Sequence, residues 1–458
     1  MAGKAAFRDW IAVAQGRLVM IAKNLQALPG ILLMVFAFLT LPAAAIAVEI
    51  QQVKSPLGIT AWLVEDYAVP LVTVAVSFRG GSSQDPVDKE GMADLLSTLF
   101  DEGAGGYDSR AFQARLEKYG INLGYSDSRD RFSGGLRALK QDSAEAFELM
   151  RLSLTGLRFD MDSIGRMRDA LKAQIAGNAN DSGTRASDAL RQSLFSGHPY
   201  ARRATGTGQS LDTITRDDLV AQFKALFARD NLVVAVVGAI SGDETAAMLD
   251  KVFGQLPPKA RLQPVGPAEV KFGGRIEIED TGAQTTIALA LPGLGRQSPD
   301  YLAAYLMNHV LGGGTFSSRL YDEIREKRGL AYSVGSSLSA LEHAAYLTAS
   351  LSTRADRAEE VIVLVKAEIE RMANDGPTEG ELAAAKRFVI GSYAINNLDT
   401  SSKIAQALIS MQTEKLGIDY IERREGLINA VTLEQVKAVA KRLLANEPTI
   451  IVVGPKKS

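Results

Sequence analysis

The segment ITRDDLVAQFKALFARDNLVVAVVG (residues 214–238) contains the signals of a complete structural unit. Thr215 and Asp218 have the spacing of a capping box, in which the hydroxyl accepts a hydrogen bond from the first helical turn and the residue three positions on reaches back. An amphipathic helix follows, then a polar turn, then a β-branched run closed by glycine. The segment therefore predicts a capped helix that leads directly into a buried strand.

The same pattern returns near the carboxyl end as VTLEQVKAVAKRLLANEPTIIVVG (431–454), with Thr432 and Gln435 as the capping box. The segments at the front of each unit also correspond. VEDYAVPLVTVAVSFRGGSSQDP (64–86) and IEDTGAQTTIALALPGLGRQSPD (278–300) each read as a strand, a turn, a second strand and a glycine-bearing loop. A repeat this long indicates a duplicated domain, because the unit of a solenoid spans only about 20–50 residues.

Proline marks the join between the two copies. Residues 254–274 hold four prolines and few periodic apolar positions, which is typical of a linker of limited flexibility. We therefore expect a first domain over 48–253 and a second over 275–458. Strands come in neighbouring runs and helices in blocks between them. This favours an α+β fold, two domains each with a mainly antiparallel sheet covered by helices on one face, over a doubly wound sheet.

The composition sets limits on function. With 458 residues the chain is too long for one core, and 46% hydrophobic with 23% charged residues is ordinary for a globular protein. A formal net charge of -2 without a Lys/Arg-rich run argues against nucleic-acid binding. The absence of cysteine excludes disulfides, thiolate zinc sites and cysteine nucleophiles. None of the three histidines has another histidine at i+4, which excludes a metal site built from a local histidine pair.

The amino-terminal segment over 1–47 resembles an export signal. Lys23 precedes the apolar run ILLMVFAFLTLPAAAIA, which ends in small residues suited to signal cleavage. The run is just short of the ~20 residues that a spanning helix needs, and Pro42 lies late in it. An uncleaved anchor in the inner membrane is the alternative, and a start at Met20 would give a signal of more usual length. Either way we expect a periplasmic protein.

Three stretches together identify a family. They are GMADLLSTLFDEGA (91–104), the segment from GHPYARR to NLVVAVVG (197–238), and NHVLGGGTFSSRLYDEIREKRGLAYSV (308–334). In combination they resemble the pitrilysin/insulinase-type metallopeptidases, in particular the two-domain chains of the mitochondrial-processing-peptidase-like branch, over residues 49–458. The resemblance implies two similar α+β domains, which form half of a clamshell that closes around a peptide chamber.

Catalytic chains of this family carry the motif H-x-x-E-H. Its two histidines lie on one helical face and bind Zn²⁺, a glutamate between them takes the proton of water, and a distal glutamate completes the ligands. The corresponding positions here are Asp94, Ser97 and Thr98, with Gln174 or Ile175 at the distal position. Serine cannot act as a general base at neutral pH and threonine is a weak metal ligand. We therefore expect a degenerate zinc site on a solvated helix face, with no cofactor bound by this chain.

The other half of the family's site is present. Complete assemblies take an arginine and a tyrosine, seven residues apart, from a domain that faces the zinc, and REKRGLAY places Arg325 and Tyr332 at that spacing. The resemblance implies that the pair contacts the substrate backbone and stabilises charge on the attacked carbonyl. The glycines Gly312, Gly313 and Gly314 predict a flexible turn nearby, either part of substrate binding or simply the end of a helix.

Other polar residues suggest weaker hypotheses. We expect His198 and His309 to be structural polar groups, and His343 has no evident role. The pair Arg202 and Arg203 could contact peptide carboxylates, although an exposed basic loop is the simpler interpretation.

The sequence thus predicts a non-catalytic subunit of a periplasmic two-component zinc peptidase that hydrolyses peptides. Its partner in a heterodimer would be a homologous chain with an intact H-x-x-E-H motif, which brings the zinc. Two alternatives remain open. One is a peptide-binding or scaffold protein with no hydrolytic role, and the other is a self-sufficient hydrolase with an unforeseen site.

Overall fold

The computed structural model describes residues 49–456. The predicted signal or anchor segment over 1–47 lies outside the described residues. None of the helices between residues 49 and 456 combines the length and the hydropathy that a membrane span requires.

Two mainly antiparallel sheets form the framework. The strands are β1 (Gln51–Lys54), β2 (Thr60–Glu65), β3 (Leu71–Arg79), β4 (Gly103–Ala104), β5 (Tyr107–Asp108), β6 (Asn122–Asp127), β7 (Arg131–Leu139), β8 (Leu232–Gly238), β9 (Arg275–Glu279), β10 (Gln284–Pro292), β11 (Ala331–Ala340), β12 (Ala345–Arg354) and β13 (Thr449–Gly454). The first sheet has the order β1-β2-β8-β3-β7-β6 and the second has the order β11-β12-β10-β13-β9, while β4 and β5 form a separate small hairpin.

The two sheets repeat one topology. Strands β2, β8, β3, β7 and β6 of the first sheet correspond in order to β9, β13, β10, β12 and β11 of the second. In each sheet the last strand of the repeat runs parallel to the first, as β8 does to β2 and β13 to β9, whereas the other pairs are antiparallel. The expected duplication of a mainly antiparallel α+β unit is confirmed.

The helices lie between these strands in blocks. They are α1 (Met92–Ser97), α2 (Ser109–Lys118), α3 (Ser143–Thr155), α4 (Met161–Asn178), α5 (Ser182–Leu194), α6 (Gly208–Thr213), α7 (Arg216–Leu226), α8 (Gly242–Phe253), α9 (Tyr301–Asn308), α10 (Ala358–Asp375), α11 (Glu379–Asn397), α12 (Ser401–Thr413), α13 (Tyr420–Ala430) and α14 (Leu433–Leu444). Both predicted capping boxes are present. Thr215 Oγ1 accepts from the backbone of Asp218 at 3.2 Å, and Thr432 Oγ1 accepts from that of Gln435 at 3.2 Å.

In the central strands of both sheets, every second side chain is buried in the core of its own half. In β3, Val72, Val74 and Val76 are buried in the core of the first half, and in β10, Ile287 and Leu289 are buried in the core of the second. Because successive side chains of a strand point to opposite faces, the residues between them face away from these cores. Both sheets therefore present a second face that also needs cover.

Each half covers the second face of the other half's sheet. Helix α5, from the first half, packs on β10 and β13 and buries Leu190 and Leu194 against Ile451 and its neighbours. Helix α12, from the second half, packs on β3 and β8, where Ser401 Oγ lies 2.8 Å from Thr73 Oγ1. The sequence predicted helices on only one face of each sheet, and this prediction was wrong. Each half contributes one helix, α5 or α12, to the second face of the other half's sheet.

The proline-rich segment over 254–274 contacts both halves. Gln263 exchanges two hydrogen bonds with Gln84, and the backbone N–H of Ala268 donates to the carbonyl of His343 at 2.8 Å. The segment is therefore held along its length by the domains that it connects.

Candidate functional site

Helix α1 carries the predicted degenerate zinc positions, and Asp85 fixes its start. The carboxylate of Asp85 accepts from the backbone of Gly91 at 3.1 Å, from that of Ala93 at 3.0 Å and from Gln222 Nε2 at 3.0 Å. Gly91 has a φ of 88°, a conformation that favours glycine, and an added Cβ would lie 2.7 Å from the carbonyl oxygen of Thr205. The helix is thus anchored to two loops before its first turn.

The structure brings Asp94, Ser97 and Thr98 together on this helix, but their face is not solvated. Ser97 is only 8% exposed, and the other two are partly buried. Ser97 Oγ donates to the carbonyl of Asp94 at 2.8 Å and Thr98 Oγ1 to that of Leu95 at 2.8 Å. The prediction of a solvated face was wrong, because strand β6 and helix α4 pack against α1. Both hydroxyls are engaged with carbonyls of their own helix.

Two carboxyl groups lie near each other beside α1. Burial raises the pKa of Asp94 to about 6. Burial also raises the pKa of Asp127 to about 7, the charge of Asp94 raises it further, and Arg129 opposes both effects. Asp127 Oδ2 is buried without a hydrogen-bond partner. Desolvation disfavours the charged form of a carboxyl group, so burial shifts the pKa of both side chains towards neutral pH.

These residues do not fit the zinc of the family. At the distal position on α4, Gln174 is exposed and Ile175 packs against the core of the first half, so neither supplies a carboxylate. Within residues 49–456 no group of three or more His, Cys, Asp or Glu side chains is placed to hold a metal ion. A tetrahedral zinc site needs at least three strong protein ligands, and Asp94 alone remains at the motif positions.

The predicted arginine–tyrosine pair does come together. Arg325 lies in a π-helical turn (Tyr321–Glu326), and Tyr332 follows on strand β11. The Arg325 guanidinium carbon is 5.6 Å from the centre of the Tyr332 ring. Tyr332 is 87% exposed, so its hydroxyl is available to a ligand. Single-turn π-helices of this kind are frequent at functional sites.

Sequence reasoning missed a third member of this cluster. The Arg325 guanidinium carbon also lies 4.8 Å from the centre of the Tyr321 ring, which is buried. Residues four apart on a helix are neighbours, so the i, i+4 spacing of Tyr321 and Arg325 was a signal that could have identified this contact.

The three glycines form a packed turn and not a flexible loop. Gly312 and Gly313 belong to a π-helical turn (His309–Gly313) that lies against β11. A Cβ on Gly312 would lie 2.5 Å from Ser336 Oγ and 2.8 Å from the backbone nitrogen of Ser336, and one on Gly314 would lie 2.7 Å from the carbonyl oxygen of His309. The expected flexible turn is therefore corrected, because Gly312 lies too close to the strand of Tyr332 to carry a side chain, and Gly314 lies too close to the backbone of His309.

The histidines have structural environments. His309 is buried, its ring centre lies 5.1 Å from that of Phe388, and burial lowers its pKa. His198 Nδ1 accepts from the backbone of Tyr200 at 3.1 Å, and the Tyr200 hydroxyl accepts from the backbone of His343 at 3.1 Å. These contacts agree with the structural roles predicted for His198 and His309. They also place His343 at the junction of the two halves.

Arg202 and Arg203 have different environments. Arg202 is partly buried and donates to the carbonyl oxygens of Ser83, Asp85 and Pro199, so the interpretation as an exposed basic loop is wrong for this residue. Arg203 Nε lies 2.6 Å from Asp188 Oδ2 on helix α5. Arg202 therefore holds the loop before α1, whereas Arg203 belongs to a separate cluster of charges.

Comparisons with known sequences agree with the family that the motifs indicated. Residues 62–208 match the family described as "Insulinase (Peptidase family M16)", and residues 213–389 match "Peptidase M16 inactive domain". The chain is 26% identical over 401 residues to the uncharacterized zinc protease SCO5738 of Streptomyces coelicolor, a match that covers 85% of this chain and 86% of that protein.

Solved structures share the fold. A crystal structure of a peptidase M16 inactive domain from Pseudomonas fluorescens matches with a TM-score of 0.84 and 30% identity, covering 90% of this chain and 99% of the other. A protease from Helicobacter pylori matches with a TM-score of 0.81 over 89% of this chain and 100% of the other. At 17% identity this second likeness shows the fold alone.

Another relative is the non-peptidase homolog YmxG of Helicobacter pylori. The two sequences are 30% identical over 381 residues, which amount to 82% of this chain and 86% of YmxG. Identity at this level over most of both chains shows that the protein belongs to the insulinase-type peptidase family M16.

Proposed function

We propose that this chain is the non-catalytic, substrate-binding subunit of a periplasmic two-component zinc peptidase. A homologous chain with an intact H-x-x-E-H motif provides the zinc and the general base. This chain provides Arg325 and Tyr332, together with half of the wall around the peptide. The reaction is peptide-bond hydrolysis, and the closed chamber restricts the substrates to short or unfolded peptides.

The placement of Arg325 and Tyr332 is the observation that carries this proposal. A guanidinium has a fixed fork of N–H donors and a phenol has one O–H donor, and both suit a peptide carbonyl that gains negative charge. Tyr332 is exposed, and the arginine lies beside it above a buried ring. The pair can therefore reach a ligand that lies outside this chain's own core.

The replaced zinc motif supports the need for a partner. The hydroxyls of Ser97 and Thr98 are bound to carbonyls of their own helix, and the distal position has no carboxylate. The relative is named a "non-peptidase homolog", and the matching structure is described as a "peptidase M16 inactive domain". These names support a chain that is not a peptidase by itself.

Reconstitution tests the proposal directly. The full chain and a homologous chain carrying H-x-x-E-H, from the same organism, are purified separately and mixed, and cleavage of quenched fluorescent peptides is measured. We expect little turnover from either chain alone and clear turnover from the mixture. Full activity of the zinc-bearing chain alone would contradict the proposal, as would a native pull-down that recovers only this chain. If the mixture turns over peptides equally well when Arg325 and Tyr332 are substituted, the proposed catalytic contribution is wrong. A peptide-binding or scaffold role would then be the better explanation.

A further inference from the structure

A cavity of about 620 Å³ opens between helices α4 and α5, the β6–β7 turn and the loop after α5. Its lining includes four arginines and two aspartates, and among them are Arg129, Arg191, Arg203 and Asp188. Gln174 and Ile175, at the position of the family's distal glutamate, line the same cavity. The cavity therefore includes the position at which the family's distal glutamate is expected.

Positive charge exceeds negative charge at one end of this cavity. Asp188 pairs with both Arg191, at 2.7 Å, and Arg203, at 2.6 Å. Arg129 donates to the carbonyl of Arg202 at 2.7 Å, and among residues 49–456 no carboxylate lies within salt-bridge distance of it. Asp188 is thus shared by Arg191 and Arg203, and Arg129 has no ion pair among the residues that the structure describes.

The other acidic groups that the structure describes nearby do not form ion pairs with Arg129, Arg191 or Arg203. Asp181 caps helix α5 by accepting from the backbone N–H and the hydroxyl of Thr184, both at 2.7 Å. Arg185, the fourth arginine of the lining, has its own partner in Asp280 at 2.6 Å. Asp127 lies near Arg129 without forming an ion pair with it, and burial raises its pKa to about 7. The Glu90 carboxylate accepts from the backbone N–H of Arg203 at 3.3 Å. The guanidinium that lacks an ion pair among residues 49–456 is therefore that of Arg129.

Of these three charges, that of Arg129 is the one that lacks an ion-pair partner among the described residues. Arg191 Nη2 lies 2.7 Å from Asp188 Oδ1, so that guanidinium is already paired. Burial lowers the pKa of Arg129, the neighbouring charge of Arg191 lowers it further, and Tyr346 and Asp127 oppose these effects. A buried charge without a partner costs free energy, and a ligand carboxylate beside Arg129 would offset that cost.

We propose that this cavity binds a carboxylate of the substrate peptide, either the α-carboxylate at its carboxyl end or an acidic side chain. Arginine is well suited to this task because its planar fork matches a carboxylate in two parallel hydrogen bonds. The inference rests on the proposed function, since the ligand is the peptide that the chamber receives. The cavity would give this chain a preference for peptides with a carboxylate. The proposed contacts of Arg325 and Tyr332 are with the peptide backbone and would not distinguish one peptide from another.

Calorimetric titration of the full chain alone tests the cavity. The probes are three short peptides of Ala, Ser and Gly: one with a free carboxyl end, one amidated, and one amidated with an internal glutamate. We expect the peptides that carry a carboxylate to bind at least about tenfold more tightly than the neutral one, as charge-assisted hydrogen bonds predict. Tighter binding of the peptide with a free carboxyl end would identify the α-carboxylate as the ligand, and tighter binding of the glutamate peptide would identify an acidic side chain. Equal binding of all three peptides would overturn the proposal.

Variants separate the cavity from general effects of charge and folding. Arg129→Gln removes the unpaired guanidinium, whereas Gln174→Glu leaves every arginine in place and adds a competing carboxylate at an exposed position. Both should abolish the preference for a carboxylate. Arg110→Gln, an exposed arginine on α2, removes the same charge elsewhere and should retain it. If the preference survives Gln174→Glu in folded protein, as judged by its thermal unfolding, the cavity is not the site.

This titration is independent of the reconstitution experiment, because it needs neither a partner chain nor turnover. A failed reconstitution with a retained carboxylate preference would overturn the proposed function and leave the cavity as a peptide site. Successful reconstitution without a carboxylate preference would overturn only the inference about the cavity. Binding of inorganic phosphate at the same arginines without binding of any peptide would also overturn it.

Discussion

The guanidinium of Arg325 lies against two tyrosine rings, with its carbon 4.8 Å from the centre of the buried Tyr321 and 5.6 Å from that of the exposed Tyr332. A cation over an aromatic face gains about 0.5–1 kcal/mol at an exposed site and more where water is excluded. Tyr321 thus fixes the arginine from the core side, and Tyr332 orders it from the solvent side.

This arrangement predicts that Tyr332→Phe lowers turnover of the reconstituted peptidase without lowering stability. The phenylalanine keeps the ring beside Arg325 but removes the hydroxyl donor. Loss of one preorganised donor to a developing oxyanion costs about 10²–10³-fold in kcat. Steady-state kinetics of the mixture measures this loss. Tyr67→Phe, at another exposed tyrosine, is the matched control, and an equal loss in both variants would exclude a specific role for Tyr332.

The packed glycine turn predicts that Gly312→Ala destabilises the protein. The new Cβ would lie 2.8 Å from the backbone nitrogen of Ser336, which cannot move without disturbing strand β11. Overpacking of this kind typically costs about 1–3 kcal/mol, measurable as a fall in the free energy of unfolding by denaturant. Gly165→Ala, within helix α4 and with open space around it, should instead stabilise by up to about 1 kcal/mol.

The carboxyl groups beside α1 predict that stability falls as pH rises. Their pKa values in the folded state are raised, to about 6 for Asp94 and about 7 for Asp127. The folded protein therefore binds more protons than the unfolded chain between about pH 4 and pH 7, and the stability present below this range is lost across it. Asp127→Asn should remove part of this slope.

The gain from Asp127→Asn should appear at pH 8 and vanish near pH 4. We expect about 1–2 kcal/mol at pH 8, less than the full shift implies because solvent screens the partly buried group. Denaturant unfolding at a series of pH values measures the difference. Asp88→Asn, at an exposed position, should leave the slope unchanged, and a parallel offset of the Asp127→Asn curve at all pH values would contradict the assignment.

Because helix α5 of the first half covers strand β13 of the second, we expect a substitution in α5 to destabilise β13. Leu194 is 1% exposed and packs with Ile451 and Val453 of strand β13. Leu194→Ala should cost about 2–5 kcal/mol and should reduce the hydrogen-exchange protection of β13, more than two hundred residues away in sequence. Leu57→Ala, at an exposed leucine, is the control. Loss of protection confined to α5 would show that the exchange carries little energy.

The features of the fold that could be predicted from the sequence are those that depend on residues close together in the chain. The capping boxes at Thr215 and Thr432 depend on residues three positions apart, and the strands that follow depend on their own β-branched runs. The pair Arg325 and Tyr332 was identified through the family resemblance, and its two residues lie on neighbouring elements, a π-helical turn and the strand that follows. In each case the residues concerned lie within one short stretch of sequence.

Contacts between distant segments could not be read in the same way. Burial of Ser97 depends on β6 and α4, and the cover of β10 by α5 depends on the path of the whole first half. The arginine cavity combines the β6–β7 turn with two helices and a loop. Of its residues only Arg203 was considered for a carboxylate, because nothing along the sequence shows that Arg129 and Arg191 meet there.

The exchange of α5 and α12 also limits how this protein could be divided. A fragment cut at the proline-rich segment would keep α5 without the sheet that it covers and would leave the outer face of β3 and β8 bare. The two halves therefore depend on each other for cover, although their topology is the same. We expect either copy expressed alone to expose one face of its sheet to water, so an engineered version should keep both copies together.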